Sequence, residues 1–544
     1  MKEILSKFKY NIILAVAITS TFVITEQLFR IYNDLLTFNL SIKIFLEQFL
    51  INLIIISVVS RKAILIAYSI LVLFVWFQLV HFSYYGTWIF PLEYILFFSQ
   101  FQETYKTFVS ITHIAIIPTL ITMFILINIY YLVNKFERNR AKIPFLSFFI
   151  ILVLVFLPLR IYLKDDYRKN NKPNFEHYPI KNTIMTLSNL FGNIIPKKIS
   201  GVSGLEQKIK ETPKIILNNP DVNVILIMGE SLNRNFMSLY DYKINTTPFL
   251  DTLKSKDNFI YKNAIAGGVY TDVSIPNFFN MVEKPDGIPQ ILSTNTCLFK
   301  MAKENGFDTY FYSSQAQEEL KGIKNYLCNN WIDELEDGTE ITKDKNKSAL
   351  DINLLGMLDK VDFNKPSFVT LHQRGSHTPF IKTFPEEFEV FTKKNIGDNS
   401  IIQNTLDYLN SIRYSDHVLE NIIKEVEKKT TRETYIIFTS DHSTSVGDSN
   451  INGHGSLVHD SIYQVPFFML ILNSKKNIKE DFSDFPYISH YQISNLISNL
   501  LGYKKTYQYF NKKEDFFVCG SDISGLSGVL NISFDDNNNL VRGK

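Results

Sequence analysis

Apolar positions follow two patterns along the chain, and the change comes near residue 165. Before it, the apolar runs are long enough to cross a bilayer, which takes roughly 20 residues per helix. Five such spans are predicted, at 10–28, 40–60, 63–83, 111–134 and 143–163. The first reads as a span rather than a cleaved leader, because no small-residue cleavage site follows it and four more runs do. Beyond residue 165 the apolar runs are short: NVILIM (223–228), TYFYSS (309–314), SFVTLH (367–372), TYIIFTS (434–440) and VPFFMLIL (465–472). Each is apolar along most of its length, the signature of a strand covered on both faces. Helical stretches such as 405–428 lie between them, so the pattern predicts a mostly parallel sheet with helices on both sides. The expected organisation is a five-span transmembrane domain over 1–165, a polar linker with an interfacial helix over 166–215, and an α/β domain over 216–544.

Charge adds a direction. The net charge of +2 offers no argument for a nucleic-acid partner. Cationic residues nevertheless cluster at Lys2, Lys7 and Lys9, at Arg61 and Lys62, and at Lys135, Arg138, Arg140 and Lys142. These three clusters fall on one side of the bilayer, which predicts a cytoplasmic N-terminus and places everything after residue 165 outside. The outer loop at 84–110 is rich in aromatics and carries Glu93, Gln102, Glu103 and Thr104. It reads both as an interfacial aromatic belt and as a platform for a lipid headgroup. Three cysteines, Cys297, Cys328 and Cys519, are too few for a disulfide framework. One bridge with a free thiol and three buried thiols both remain open.

In sheets of this class, chemistry gathers at the carboxyl ends of the strands. The first predicted strand runs into Gly229-Glu230-Ser231, the third into LHQRGSH with His372 and His377, and the fourth into Asp441-His442, with His454 and His459 following. Two carboxylates and several imidazoles at one sheet edge suit zinc, with manganese as second choice. The segment GGVYTDVSIPNFF (267–279) reads as a turn entering a helix. Its Thr271 and Ser274 either cap that helix or offer a hydroxyl nucleophile among unpaired backbone N–H groups.

Taken together, NVILIMGESLNRNFMSLYDYKINTTPFLDTL, the Thr271 segment, LHQRGSH, YLNSIRYSDHVL, and SDH followed by HGS resemble the phosphoethanolamine transferases of the alkaline phosphatase and sulfatase superfamily. The resemblance covers the whole chain and implies an alkaline-phosphatase/sulfatase-like α/β catalytic domain outside a bacterial inner membrane, in the periplasm. It implies that Glu230, Thr271, Asp441 and His442 hold a catalytic zinc, with Thr271 the nucleophile. His377 and His454 match positions that bind the phosphoryl group or a second zinc. His372, His459, Gln315, Glu93 and Glu103 are expected as substrate contacts. The implied donor is phosphatidylethanolamine and the implied acceptor lipopolysaccharide, at lipid A or a core sugar. GES with NR looks more like the enzymes that modify lipopolysaccharide core. Departures are Ser443 and Thr444 in place of the usual Gly-Glu, Asp241 in place of a Gly, and Gly267 with Asn277 where lipid A modifiers carry a disulfide. The alternatives are a phosphoglycerol transferase of the lipoteichoic acid synthase type, a sulfatase, and a non-catalytic membrane scaffold. A sulfatase needs Cys or Ser in a C/S-x-P-x-R pattern, which is not found around Thr271. A scaffold would be expected to have lost metal ligands.

Overall fold

The computed structural model describes residues 2–33, 42–143, 155–163, 177–200, 209–474, 486–504 and 515–543, short breaks within these stretches excepted. It divides into two compact units, Met1–Val202 and Ser203–Lys544.

In the first unit, three helices are long and apolar enough to cross a membrane, over Lys7–Tyr32, Arg61–Tyr84 and Thr112–Phe136. The five expected spans are not reproduced. The helix described at the second position, Ile42–Ile56, has 15 residues, short of a bilayer's thickness, and about half of the fifth span lies outside the described residues. Apolar packing alone gives helices in lipid little reason to associate, so polar bridges between them matter. Asn52 donates to Thr19 Oγ1 at 3.0 Å and accepts from the Tyr68 hydroxyl at 3.0 Å. The buried Arg140 guanidinium donates to the carbonyls of Ile56 and Val59, at 3.1 and 3.0 Å, capping the end of the short helix. Asn11 exchanges two hydrogen bonds with the backbone of Ala141. The three segments that the cationic residues assign to one side therefore do meet. The helix Pro179–Asn189, expected in the linker, buries Ile180, Asn182, Thr183 and Thr186, and Thr186 donates to the Ile89 carbonyl at 3.2 Å. It belongs to the first unit.

The second unit is built on strands β1 (Val222–Gly229), β2 (Phe259–Ile265), β3 (Asp308–Ser313), β4 (Glu334–Glu336), β5 (Ser367–His372), β6 (Glu433–Ser440), the short hairpin β7 (Ser445–Val446) with β8 (Asn452–Gly453), β9 (Gln464–Leu472) and β10 (Tyr487–Ser489). Eight of them form one sheet in the order β10-β2-β9-β6-β1-β5-β3-β4. Only β9 runs against the rest. Along β1, Val224, Leu226 and Met228 enter one core while Ile225 and Ile227 enter the other. Both faces are covered, which is why these strands show no polar alternation. Cys297 and Cys328 form a disulfide and Cys519 is free and buried, so the bridge-plus-thiol alternative holds.

Candidate metal centre

Strand register explains how residues distant in sequence arrive together. β1 and β6 are parallel neighbours paired Gly229 to Ser440, so the next residue of each, Glu230 and Asp441, leaves the sheet side by side. The Asp441 N–H donates to the Gly229 carbonyl at 3.0 Å, which extends the ladder by one step. On the other flank of β1 lies β5, whose exit loop returns over Glu230: Ser376 N–H donates to the Glu230 carbonyl at 3.0 Å. That approach requires Gly375, which sits at φ +53°. A Cβ there would lie 2.7 Å from the Glu230 carbonyl oxygen. Thr271 comes from the first position of the helix Thr271–Phe279 that follows β2.

The result is a tight group of donor atoms. Thr271 Oγ1 lies 3.1 Å from Glu230 Oε2 and 3.2 Å from His442 Nε2. His442 Nε2 lies 3.4 Å from Glu230 Oε1 and 3.3 Å from Asp441 Oδ2. Glu230, Asp441 and His442 are all buried, and their ligand atoms lie close enough together that they could hold a metal ion. The fit to zinc can be tested on geometry. Zinc holds nitrogen and oxygen donors at about 2.0–2.2 Å in a tetrahedron, whose edges are then about 3.3–3.6 Å. The observed separations are of that size. Two details of chemistry agree. Asp441 Oδ1 accepts from the Ser231 and His442 N–H groups, whereas Asp441 Oδ2 is buried and accepts no hydrogen bond. His442 Nδ1–H donates to the Ser443 carbonyl at 3.0 Å, leaving the Nε2 lone pair directed at the carboxylates. Two carboxylates without a cationic side chain bonded to them leave a net negative charge in a buried site, which a divalent cation balances.

The remaining expected residues divide. The His454 ring stands 4.3 Å from that of His442, and the His377 ring 6.1 Å from that of His454. Burial, reinforced by Arg374, pushes His377 down to about 4, and its Nδ1–H donates to the Thr378 carbonyl at 2.6 Å. Burial also pushes His454 well below its usual range. His372 and Gln315, expected to contact substrate, are placed differently. His372 is fully buried between Ser313, 3.1 Å away, and Gln315, 3.4 Å away. Gln315 in turn donates to Glu230 Oε2 at 2.9 Å. Both stand behind the carboxylate and orient it. His459 lies beside Arg542 and Asp460. Glu93 pairs with His81 at 3.2 Å within the first unit, and Glu103 lies outside the described residues.

Several residues of the site had escaped attention. Asp351 is fully buried and receives the Gly375 N–H at 2.9 Å and the Arg374 N–H at 2.6 Å, shaping the loop over Glu230. The buried His490 donates from Nε2 to the Ser440 carbonyl at 3.0 Å and accepts the Gly267 N–H at Nδ1, tying the end of β6 to the turn before Thr271. Burial holds it near 3. A signal for His490 was present: Ser489 and Gln492 form a capping box, which marks a helix start at a strand end.

Comparison with known proteins completes the description. The Sulfatase family model matches residues 222–503. Phosphoethanolamine transferase EptA of Helicobacter pylori is 25% identical over 280 residues, which cover 50% of this chain and 52% of that protein. The chain spans about half the length of the curated relatives it matches. Among solved structures, the integral membrane protein lipooligosaccharide phosphoethanolamine transferase A (EptA) of Neisseria meningitidis superimposes with a TM-score of 0.58, covering 92% of this chain and 96% of its own at 16% identity. The C-terminal periplasmic domain of EcEptC from Escherichia coli, in complex with Zn, superimposes with a TM-score of 0.50, covering 57% of this chain and 93% of its own at 22% identity. At these identities the two structures speak to fold.

Proposed function

This chain belongs to the sulfatase family, and on that premise we propose that it transfers phosphoethanolamine from phosphatidylethanolamine to a lipopolysaccharide acceptor, at lipid A or a core sugar, through a phospho-threonine intermediate. The observation that carries the proposal is the convergence of Thr271 Oγ1 on Glu230 and His442 within 3.2 Å, from segments 41 and 171 residues away. Names of relatives supply the transferred group: EptA and EptC are phosphoethanolamine transferases.

In this reading Glu230, Thr271, Asp441 and His442 hold zinc. When bound, zinc lowers the pKa of a coordinated hydroxyl and offsets negative charge developing on phosphoryl oxygens. Thr271 Oγ1 attacks the phosphorus of the donor, the bond to the glycerol oxygen breaks, and the proton given up by the Thr271 hydroxyl passes by way of His377 and His454 to that oxygen, so that diacylglycerol leaves as the alcohol. The acceptor oxygen then attacks the phosphoethanolamine-threonine, and Thr271 is regenerated. A neutral His377, whose Nδ1–H donates to the Thr378 carbonyl, is assigned to pass the acceptor's proton back to the Thr271 oxygen. Gln315 and His372 fix the Glu230 carboxylate from behind. Glu93 and Glu103 are assigned to the donor headgroup. In this reading the chain is an inner-membrane protein whose catalytic unit faces the periplasm, a reading that the three apolar helices support.

The test uses purified full-length protein with vesicles containing phosphatidylethanolamine. Mass spectrometry should find a phosphoethanolamine adduct on Thr271, and a phosphoglycerol adduct would instead favour the lipoteichoic acid synthase type. Thr271→Ala should retain zinc and lose transfer by at least ~10⁴-fold, the scale on which removing a nucleophile acts. Transfer that survives in that variant refutes the nucleophile.

A further inference from the structure

The segment YLNSIRYSDHVL lies on the long helix Gln403–Lys429 and supplies none of the ligand atoms. Its first residue nevertheless reaches the metal centre through backbone. The Tyr408 ring is fully buried, and its hydroxyl donates to the Ser231 carbonyl at 2.9 Å while accepting the Asn233 N–H at 2.8 Å. Those two backbone groups bracket the turn that follows Glu230.

The turn has a reason to need a clamp. Ser231 sits at φ +57°, in the left-handed region that a residue with a Cβ occupies only at a cost. It also serves both carboxylates: its N–H donates to Asp441 Oδ1 at 3.2 Å and its hydroxyl to Glu230 Oε1 at 2.7 Å. Relaxing Ser231 would therefore shift both acids together. One helical turn beyond Tyr408, the Ser411 hydroxyl donates to Ser376 Oγ at 2.8 Å, and Ser376 is the residue whose N–H holds the Glu230 carbonyl. The helix thus grips the Glu230 turn at two points.

We propose that Tyr408, seconded by Ser411, is a positioning residue for the metal centre: its hydroxyl holds Ser231 in the left-handed turn and so sets the spacing of the Glu230 and Asp441 carboxylates at which a divalent cation binds. The proposal rests on the metal reading above. The alternative role, plain core packing, belongs to the ring, which meets Phe380 at 4.9 Å and Phe236 at 5.5 Å. Phenylalanine would keep those contacts and delete only the oxygen.

The two roles separate in a zinc competition titration against a chromophoric chelator, on full-length protein well below its melting temperature. Tyr408→Phe should bind zinc about 10–100-fold more weakly, the usual effect of losing a group that orients metal ligands, with transfer restored towards wild type at saturating zinc. Ser411→Ala should weaken zinc in the same direction and serves as the test if Y408F does not fold. Tyr414→Phe, on the same helix and packed on Phe388, should leave zinc affinity unchanged. Wild-type zinc affinity in Y408F, or in a foldable S411A where Y408F is unfolded, overturns the assignment. So does an equal loss in Y414F, which would point to general loosening of the helix. Wild-type protein that binds no zinc would instead sink the metal reading on which this depends.

Discussion

Buried acids are treated in opposite ways in the two units. Glu26 lies in the first helix and is 6% exposed; Arg30, one turn on and 3% exposed, donates from Nε to its Oε1 at 3.0 Å. The pair is local and neutral, and the Arg30 guanidinium also faces the Trp88 ring. Glu230 and Asp441 in the second unit are as deeply buried, but they are 211 residues apart, and the partners they share are the His442 imidazole and Ser231. A buried acid answered by an adjacent cation is part of the architecture. Two buried acids gathered by strand register, with one oxygen left without a hydrogen bond, make a group that could hold a cation. Burial alone would not distinguish them; charge balance does.

The contrast is most exposed to failure at Arg30. Removing one partner of a buried ion pair strands the other charge, at a cost of about 3–5 kcal/mol. Arg30→Met should therefore destabilise the first unit by that amount, read as a lower melting midpoint of detergent-solubilised protein. A midpoint within error of wild type would mean that Glu26 is not held as a charged partner, and the comparison would lose one side.

A covalent closure sharpens the same contrast. All three cysteines lie in the second unit, and the Cys297–Cys328 bridge closes a segment with a sequence separation of 31 that includes Gln315 behind Glu230. Loop-closure entropy for that length amounts to about 3–4 kcal/mol. Reduction, or Cys297→Ser with Cys328→Ser, should lower the unfolding free energy of the second unit by up to that amount and leave the first unit's transition in place. Loss of both transitions would show that the units do not fold independently.

What could be read in advance follows from what an apolar pattern encodes. β1, β3, β5, β6 and β9 were legible because they are buried and apolar along most of their length. β2 was not, because Lys262 and Asn263 interrupt it, and the strand has only partly covered positions there. The reversal of β9 left no trace, since periodicity reports burial and not direction. At the site, Glu230, Asp441 and His442 stood out as polar residues directly after apolar strands. Gln315 and His372 looked alike in that respect, yet they point at the ligand rather than at open space, a distinction that depends on which strand lies next to which. Tyr408 opens the segment YLNSIRYSDHVL, but its part in the site could not be read there, because a tyrosine at helical spacing reads as core. The span expected over 40–60 corresponds among the described residues to the helix Ile42–Ile56, after which the Ser57 hydroxyl turns back to the Leu53 carbonyl.

Acid should act on the second unit through His490. Its pKa is held near 3, by burial first, against an ordinary value of 6.5. The folded state thus binds fewer protons than the unfolded state between those values, so stability is full above about 6.5 and falls as pH drops towards 3. Each pH unit within the window costs about 1.4 kcal/mol for the one proton. His490→Gln should flatten the slope of unfolding free energy against pH. A slope unchanged by that substitution would assign the acid sensitivity to other groups and leave the tie between Ser440 and Gly267 without a measured consequence.

The smallest effect carries the opposite sign and bears most directly on the comparison. If Glu230 and Asp441 are a prepared anionic site, then without metal they are a burden on the fold, and neutralising one should help. Asp441→Asn keeps the shape and the acceptor at Oδ1 for the Ser231 and His442 N–H groups, while removing a charge whose second oxygen has no hydrogen bond. In chelator-treated protein the variant should gain about 1 kcal/mol in the second unit, the scale seen when a functional site is relieved of a strained or uncompensated group. With zinc added, the order should reverse, because only the wild type gains from binding the ion. The crossing of the two melting curves is the informative result: the Arg30 variant weakens its unit with or without zinc, whereas the Asp441 variant strengthens its unit in one condition and is the weaker protein in the other. If Asn at 441 destabilises the metal-free protein as strongly as Met at 30 does, the carboxylate is structural after all and the distinction between a satisfied acid and a waiting one fails.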